Sequence, residues 1–247
     1  MLSTLKYKWR RSRRKQTKQG LFNRSRTLLL WSFRLLLLML VIDAFYLVHI
    51  WPDWTSFKNG SVKKSNFIKN YQVRQHKLAP LKWQPVRLGN IPHRLRHAVI
   101  VAEDARFYSH NGFDIFAFQE AMQSNLEKGR FKYGGSTISQ QTVKNMFFSA
   151  SRNPLRKWHE LIFTIGMELN VSKERIMETY LNVAEFGKGI YGVEAAARAY
   201  WNIPVTNINV QQAIELAATL PSPVKHNPAT RTRAFMRRVK KIHAYMY

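Results

Sequence analysis

Glu103 and Asp104 stand side by side after the apolar run "AVIVA", in a chain with 14 acidic residues against 40 lysines and arginines. At the end of a helix such acids meet the negative end of the macrodipole, and two together repel each other. The pair needs compensation from cations, a metal or a substrate, and one acid here with a second on another helix, at Glu160, suggests general acid/base or electrostatic work. His110 and Asp114 follow closely, but their spacings match no closed zinc set. A second acid, Glu160, lies four residues after Arg156 in "NPLRKWHELIFTIGMEL". On a helix these two are neighbours, either as a solvated pair or as a carboxylate held at a cleft wall. Between the acids runs "GRFKYGGSTISQQTVKNMF", Gly129 to Phe147. Gly129, Gly134 and Ser136 nearly spell the phosphate-cradling pattern G-x-x-x-x-G-K-[ST], but Gly135 takes the lysine position, which argues against nucleotide hydrolysis. The glycines still open a helix whose free N–H groups suit an anionic oxygen, and Gln140, Gln141 and Lys144 extend it as a polar stripe ending in a cation.

The elements that must position these groups are helical. From Pro92 onward the apolar periodicity and punctuation predict helices over 93–106, 114–128, 136–148, 154–169, 172–183, 190–201, 209–219 and 229–246. Asp114, Ser136, Asn153 followed by Pro154, and Ser172 are the expected caps. No run of alternating strands and no internal repeat appears, so the domain reads as mostly α. In the helix over 154–169, Leu155, Trp158, Ile162, Ile165 and Leu169 form one stripe, expected to face the core. Arg156, Glu160, Phe163 and Met167 lie on another side. Residues 52–92 mix Pro, Gly, Lys and aromatics without a period and read as a membrane-proximal connector, with "FIKNYQVRQ" a short extended or helical piece.

Composition bounds the rest. The 247 residues carry a formal net charge of +26, which favours anionic partners, and 45% hydrophobic residues, which suffice for a core. The lack of cysteine excludes disulfides, thiolate metal sites and cysteine nucleophiles. Residues 1–26 contain ten lysines and arginines and no acid. An apolar run follows, from Leu28 to about Ile50, of the ~20 residues a bilayer span requires. It is long for a cleaved signal and no small-x-small site follows it. Residues 27–51 therefore read as a single transmembrane anchor, with Arg34 able to snorkel. The positive-inside rule places residues 1–26 in the cytoplasm as a basic tail and everything after Trp51 on the periplasmic or outer side of the cell inner membrane.

With these motifs in hand, the chain resembles the monofunctional biosynthetic peptidoglycan glycosyltransferases, the stand-alone form of the glycosyltransferase domain of class A penicillin-binding proteins. Five blocks occur in that family's order: "EDARFYSHNG" from Glu103, "GGSTISQQTVKN" from Gly134, "RKWHE" from Arg156, "KERIMETYLN" from Lys173 and "GIYGVEAAARAYW" from Gly189. Met177 stands where the family usually has Leu, a volume-conserving change. The resemblance covers residues 87–247, the expected catalytic domain, with 52–86 left as the connector. It implies a small, helical, lysozyme-like fold with a jaw lobe that partly enters the membrane, and the segments "RFKYGG" and "MFFSASR" are expected at that interface. No transpeptidase activity is expected.

The resemblance also implies roles. Glu103 is the expected general base, taking the proton of the GlcNAc 4-hydroxyl of lipid II as it attacks C1 of the MurNAc of the growing lipid-linked strand, with inversion to a β-1,4 bond and release of undecaprenyl diphosphate. Glu160 is the second carboxylate, assisting the departing diphosphate directly or through a divalent cation. Lys144, Arg156 and Lys157 are expected to neutralise the diphosphate, and Ser136, Thr137, Gln140, Gln141 and Asn182 to line the cleft. Lys225 is a further substrate-binding lysine, while Asp104, Phe107 and His110 shape and polarise the site around Glu103. No tightly bound cofactor is expected. A divalent cation, Mg²⁺ or Mn²⁺, has its place near Glu160 or Asp104 as a stimulator. The implied partners are lipid II, the growing strand, the membrane and other cell-wall synthesis or division proteins. Two rivals share single features: a glycan-cleaving lysozyme-like enzyme shares the catalytic Glu but gives the cations no task, and a tethered nucleic-acid-binding protein shares only the charge.

Overall fold

A computed structural model of the chain describes residues 2–74, 79–127, 129, 135–149 and 153–246, without side chains for 2–23, 25 and 154. It divides into two compact units, Met1–Trp51 and Pro52–Tyr247. The first is one helix, α1 (Leu2–His49). Its segment Arg26–His49 has a mean hydropathy of 2.1 and none of it is buried in protein, so it is long and apolar enough to cross a membrane.

The second unit begins with α2 (Trp54–Lys58), α3 (Asn66–Arg74) and the strand β1 (Lys82–Trp83). The helices α4 (His93–Glu103), α5 (Ile115–Glu127), α6 (Ile138–Phe147), α7 (Pro154–Asn170) and α8 (Lys173–Val183) follow. After them come β2 (Glu185–Gly187), β3 (Ile190–Tyr191), α9 (Val193–Trp201), α10 (Val210–Thr219) and α11 (Arg233–Met246). The fold is mostly α, and the eight expected helices are all present, with shifted ends. Asn153 and Ser172 cap α7 and α8 through their side chains, and Asp114 accepts the N–H of Ala117 at the start of α5. The cap of α6 is Thr137 and not Ser136: its hydroxyl accepts the N–H of Gln140, whose side chain accepts the N–H of Thr137 in a reciprocal capping box.

Leu95, Val99, Ile138, Ile176, Leu181 and Ile214, all fully buried, make the centre of the core from α4, α6, α8 and α10. Residues 52–86, read as a connector, are built into this unit. Trp54 of α2 packs edge-on against Phe147 and Phe163, and Ile68 of α3 is fully buried beside Val183 and Tyr191. The strands form a small sheet in the order β1-β3-β2, parallel between β1 and β3 and antiparallel between β2 and β3. Runs of two or three residues are too short to show a strand period.

The apolar stripe of α7 faces the opposite way from the sequence expectation. Leu155, Trp158, Ile165 and Leu169 are 48–80% exposed, while Phe163 and Met167 enter the core beside buried Glu160 and Thr164. Ile115, Phe116, Phe118 and Leu126 of α5 are likewise exposed. The interface expected from "RFKYGG" involves Arg130–Gly134, which lie outside the described residues, as do Ala150–Arg152 of "MFFSASR". The described part of that second segment turns inward, with Phe147 and Phe148 packed on Phe163.

Candidate active site

The awkward acids at the end of α4 find their compensation in two different partners. Asp104 is the C-cap of α4, and its Oδ2 accepts the N–H of Ile138, at 2.9 Å, in the first turn of α6. The carboxylate that strains one helix end thus sits at the favourable end of another. His110 closes the other side: its Nδ1 accepts the N–H of Gly112 at 3.1 Å, which leaves Nε2 to donate to Asp104 at 2.9 Å. Gly112 holds this turn at φ +90°, and a Cβ there would lie 2.8 Å from Thr164 Cγ2. Asp104, at 7% exposure, is a brace that fixes where Glu103 stands.

Glu103 turns into an open cavity of about 510 Å³, lined also by Ser136 and Thr137 of the α6 entry and Lys241 of α11. Its Oε1 accepts from Arg238 Nη2 at 2.5 Å, and its Oε2 accepts from Gln141 Nε2 at 2.9 Å. Gln141 is held in turn by Tyr180, whose hydroxyl donates to Gln141 Oε1 at 3.1 Å. Burial lifts the Glu103 carboxyl above the usual carboxylate range, against the opposing pull of Arg238, Gln141 and Lys144. Such a group is a stronger base than a solvated carboxylate.

The second acid lies on α7 among cations. Glu160, 2% exposed, has Arg156 Nη1 at 3.4 Å from Oε1 and Lys157 Nζ at 3.4 Å from Oε2. Lys157 also reaches Ser136 Oγ at 3.4 Å, tying α7 to the entry of α6. Lys144, on α6, stands in the fields of both acids. Burial pushes its ammonium below the usual lysine range, Glu160 and Glu103 pull it back up, and Arg156 and Lys157 push it further down. The site is therefore one buried carboxylate, Glu160, and one half-buried carboxylate, Glu103, with cations around them. Among the described residues, three buried side-chain atoms here have no hydrogen-bond partner: Glu160 Oε1, Arg156 Nε and Arg238 Nε. Unmet groups of this kind are rare in a folded protein, and their concentration at the site leaves it polar capacity for a ligand or water.

This arrangement lies within residues 70–247, the stretch that matches the family model described as Transglycosylase. The chain belongs to the transglycosylase family. A biosynthetic peptidoglycan transglycosylase of Laribacter hongkongensis is 36% identical over 222 residues, 89% of this chain and 97% of its own. Its namesake in Thiobacillus denitrificans is 41% identical over 195 residues, 79% of this chain and 81% of its own. A third, in Methylobacillus flagellatus, is 45% identical over 168 residues, 68% and 73% of the two chains.

In this transglycosylase the fold assigns several sequence-selected residues to support. Thr137 and Gln140 are buried and spend their side chains on the capping box of α6, with Thr137 also donating to Gly112 O at 2.7 Å. Asn182 is fully buried; it bonds both backbone groups of Val86 and the carbonyl of Glu178, so it pins residues 83–88 and offers the cleft no surface. Phe107 is fully buried under Lys173, 4.6 Å from its ring. Lys225 is exposed on the loop after α10, and no contact among the described residues joins it to the two acids. Arg238, Lys241 and Tyr180 are the site residues that sequence reasoning missed. A divalent cation does not fit these donors. Both Asp104 oxygens are taken, Glu160 is flanked by two cations, and no three His, Asp or Glu converge among the described residues.

Proposed function

We propose that this transglycosylase polymerises peptidoglycan glycan strands from lipid II, transferring the lipid-linked strand to the GlcNAc 4-hydroxyl with inversion and releasing undecaprenyl diphosphate. The observation that carries the reading is the pairing of a half-buried, basic carboxylate with a separate cationic group. Glu103 accepts the acceptor's proton. Lys144, Arg156 and Lys157 meet the charge that develops on the departing diphosphate, where fixed positive groups in a water-poor site act most strongly. Glu160 pairs with Arg156 and Lys157 and so helps to hold these two cations in place. A glycan hydrolase has no use for that cationic set. The exposed apolar faces of α5 and α7 suit contact with a bilayer, where the polyprenyl substrate resides, and the basic flank of α1 supports a cytoplasmic side for residues 1–26. Incubation of the full chain with labelled lipid II in detergent tests the reading. Polymer and undecaprenyl diphosphate should appear together; degradation of finished glycan without polymer would favour the hydrolase.

Arg238 is a positioning residue in this scheme. Its charge opposes the burial that raises Glu103, so Arg238→Gln should move the acid limb of the kcat/KM profile upward by roughly one pH unit. The sign follows from the role: the base must be deprotonated, so a higher pKa removes activity at higher pH. A variant with a lower rate and an unmoved limb would reduce Arg238 to a packing role.

A further inference from the structure

The chain just beyond α1 stays basic, although less densely than the tail before it. From Pro52 to Arg87 it carries Lys58, Lys63, Lys64, Lys69, Arg74, Lys77, Lys82 and Arg87 against one acid, Asp53. Among the described residues, none of these has a contact with Glu103 or Glu160. The fold gathers most of them around two adjoining cavities that share Ser61, Val62 and Arg175. One, of about 210 Å³, is lined by Lys63, Lys64 and Lys69 over an apolar wall of Phe57, Val62, Met146 and Phe147. The other, of about 580 Å³, is lined by Lys58 and Arg87.

The acids at these cavities are already engaged. Asp53 Oδ1 accepts the N–H groups of Thr55 and Ser56 at 3.0 and 3.1 Å, which hold its carboxyl below the usual range. Glu178 accepts the N–H of Leu88 at 2.8 Å and pairs with Arg175. Arg175 is oriented further by donation from Nε to Phe57 O at 3.0 Å. Lys64 reaches Gln72 at 2.8 Å, while Lys58, Lys63 and Lys69 remain exposed. The result is an oriented guanidinium, a set of lysine ammonium groups and an apolar wall in one place. We infer that this double cavity binds the phosphodiester headgroup of an anionic phospholipid, with the glycerol and first methylenes against Phe57, Val62 and Met146.

The occupant is argued from position and chemistry. Lys58 follows His49, the last residue of the membrane-length segment, by nine positions, and a juxtamembrane cluster of four or more basic residues is attracted to anionic lipid surfaces. An apolar wall beside the cations fits an amphiphile better than a free ion. The inference requires that α1 is in the bilayer, and it does not depend on which reaction Glu103 performs.

The test uses the full chain in vesicles, with Ser61, which lines both cavities, replaced by the photoreactive residue benzoylphenylalanine. Vesicles contain labelled phosphatidylglycerol or labelled phosphatidylcholine at equal mole fraction. Cross-linking to phosphatidylglycerol should exceed that to phosphatidylcholine by about fivefold or more and should weaken as salt rises. The triple variant Lys58→Gln, Lys63→Gln, Lys69→Gln should bring the two lipids to parity, and Lys63→Gln alone should fall between. All three lysines are exposed, and unchanged polymerisation in detergent verifies folding; the single variant decides the matter if the triple one fails to fold. Equal labelling of both lipids, or a preference untouched by the lysine variants, would overturn the proposal. So would displacement of the lipid by millimolar glycerol 3-phosphate, which marks a free phosphate-ester site, or by lipid II, which marks a second substrate site.

Discussion

Glu103→Gln should lower kcat for lipid II polymerisation by about 10³-fold, within the 10²–10⁴-fold worth of a positioned general base, while leaving the Kd for lipid II within about threefold. The amide keeps the size of the carboxylate and one acceptor, so it can still bond Arg238 or Gln141, although not both. It cannot take the acceptor's proton. Two readouts separate loss of the base from loss of the site. Binding of lipid II, followed directly, should persist because the proposed diphosphate contacts belong to Lys144, Arg156 and Lys157. The residual rate should lose the acid limb that the wild type shows, since the group responsible no longer titrates. That limb belongs above the ordinary carboxylate range because burial outweighs the cations around Glu103. A variant with a rate within tenfold of wild type, or one with the limb still in place, would remove Glu103 from the role.

The sequence showed the helices well because their ends carry local chemistry. Asn153 with Pro154, Ser172 and Asp114 are capping signals read within one turn, and the structure uses each of them. Thr137 and Gln140 carried the same kind of signal, since T-x-x-Q is a capping box, yet the family resemblance assigned them to the cleft lining. The stripe of α7 failed for a different reason. Amphipathic spacing says that Leu155, Trp158, Ile165 and Leu169 share a face, but nothing in the spacing says whether protein or lipid covers it. In a chain that also carries a membrane-length helix the outward answer is physically open, and here the stripe is exposed. Arg238 lay beyond any local rule because its partner Glu103 is 135 residues away. Its only sequence trace is the basic run Arg237, Arg238, Lys240 and Lys241 on a helix otherwise anchored by Phe235, Val239 and Ile242. The first question posed by Glu103 and Asp104, how a helix end tolerates both, was legible; the answer needed the start of α6 and the middle of α11 in the same place.

Lys144→Met should lower kcat by about 10²–10³-fold, the usual cost of removing one preorganised charge from a developing anion. The thioether matches the lysine stem in length, so packing on α6 survives and the loss falls on the charge. Wild-type activity should follow a bell-shaped pH profile with two assigned limbs. Activity falls on the acid side as Glu103 is protonated. It falls on the alkaline side as Lys144 loses its proton, earlier than an ordinary lysine because burial and the neighbouring Arg156 and Lys157 disfavour its charge. Lys144→Met should erase the alkaline limb and also shift the acid limb upward, because Lys144 helps to hold Glu103 down. Lys144→Arg separates charge from titration: a guanidinium stays protonated across the accessible pH range. That variant should recover part of the rate lost in Lys144→Met and keep it at high pH. An alkaline limb unchanged in Lys144→Arg would assign it to another group and reduce Lys144 to a static countercharge for Glu160.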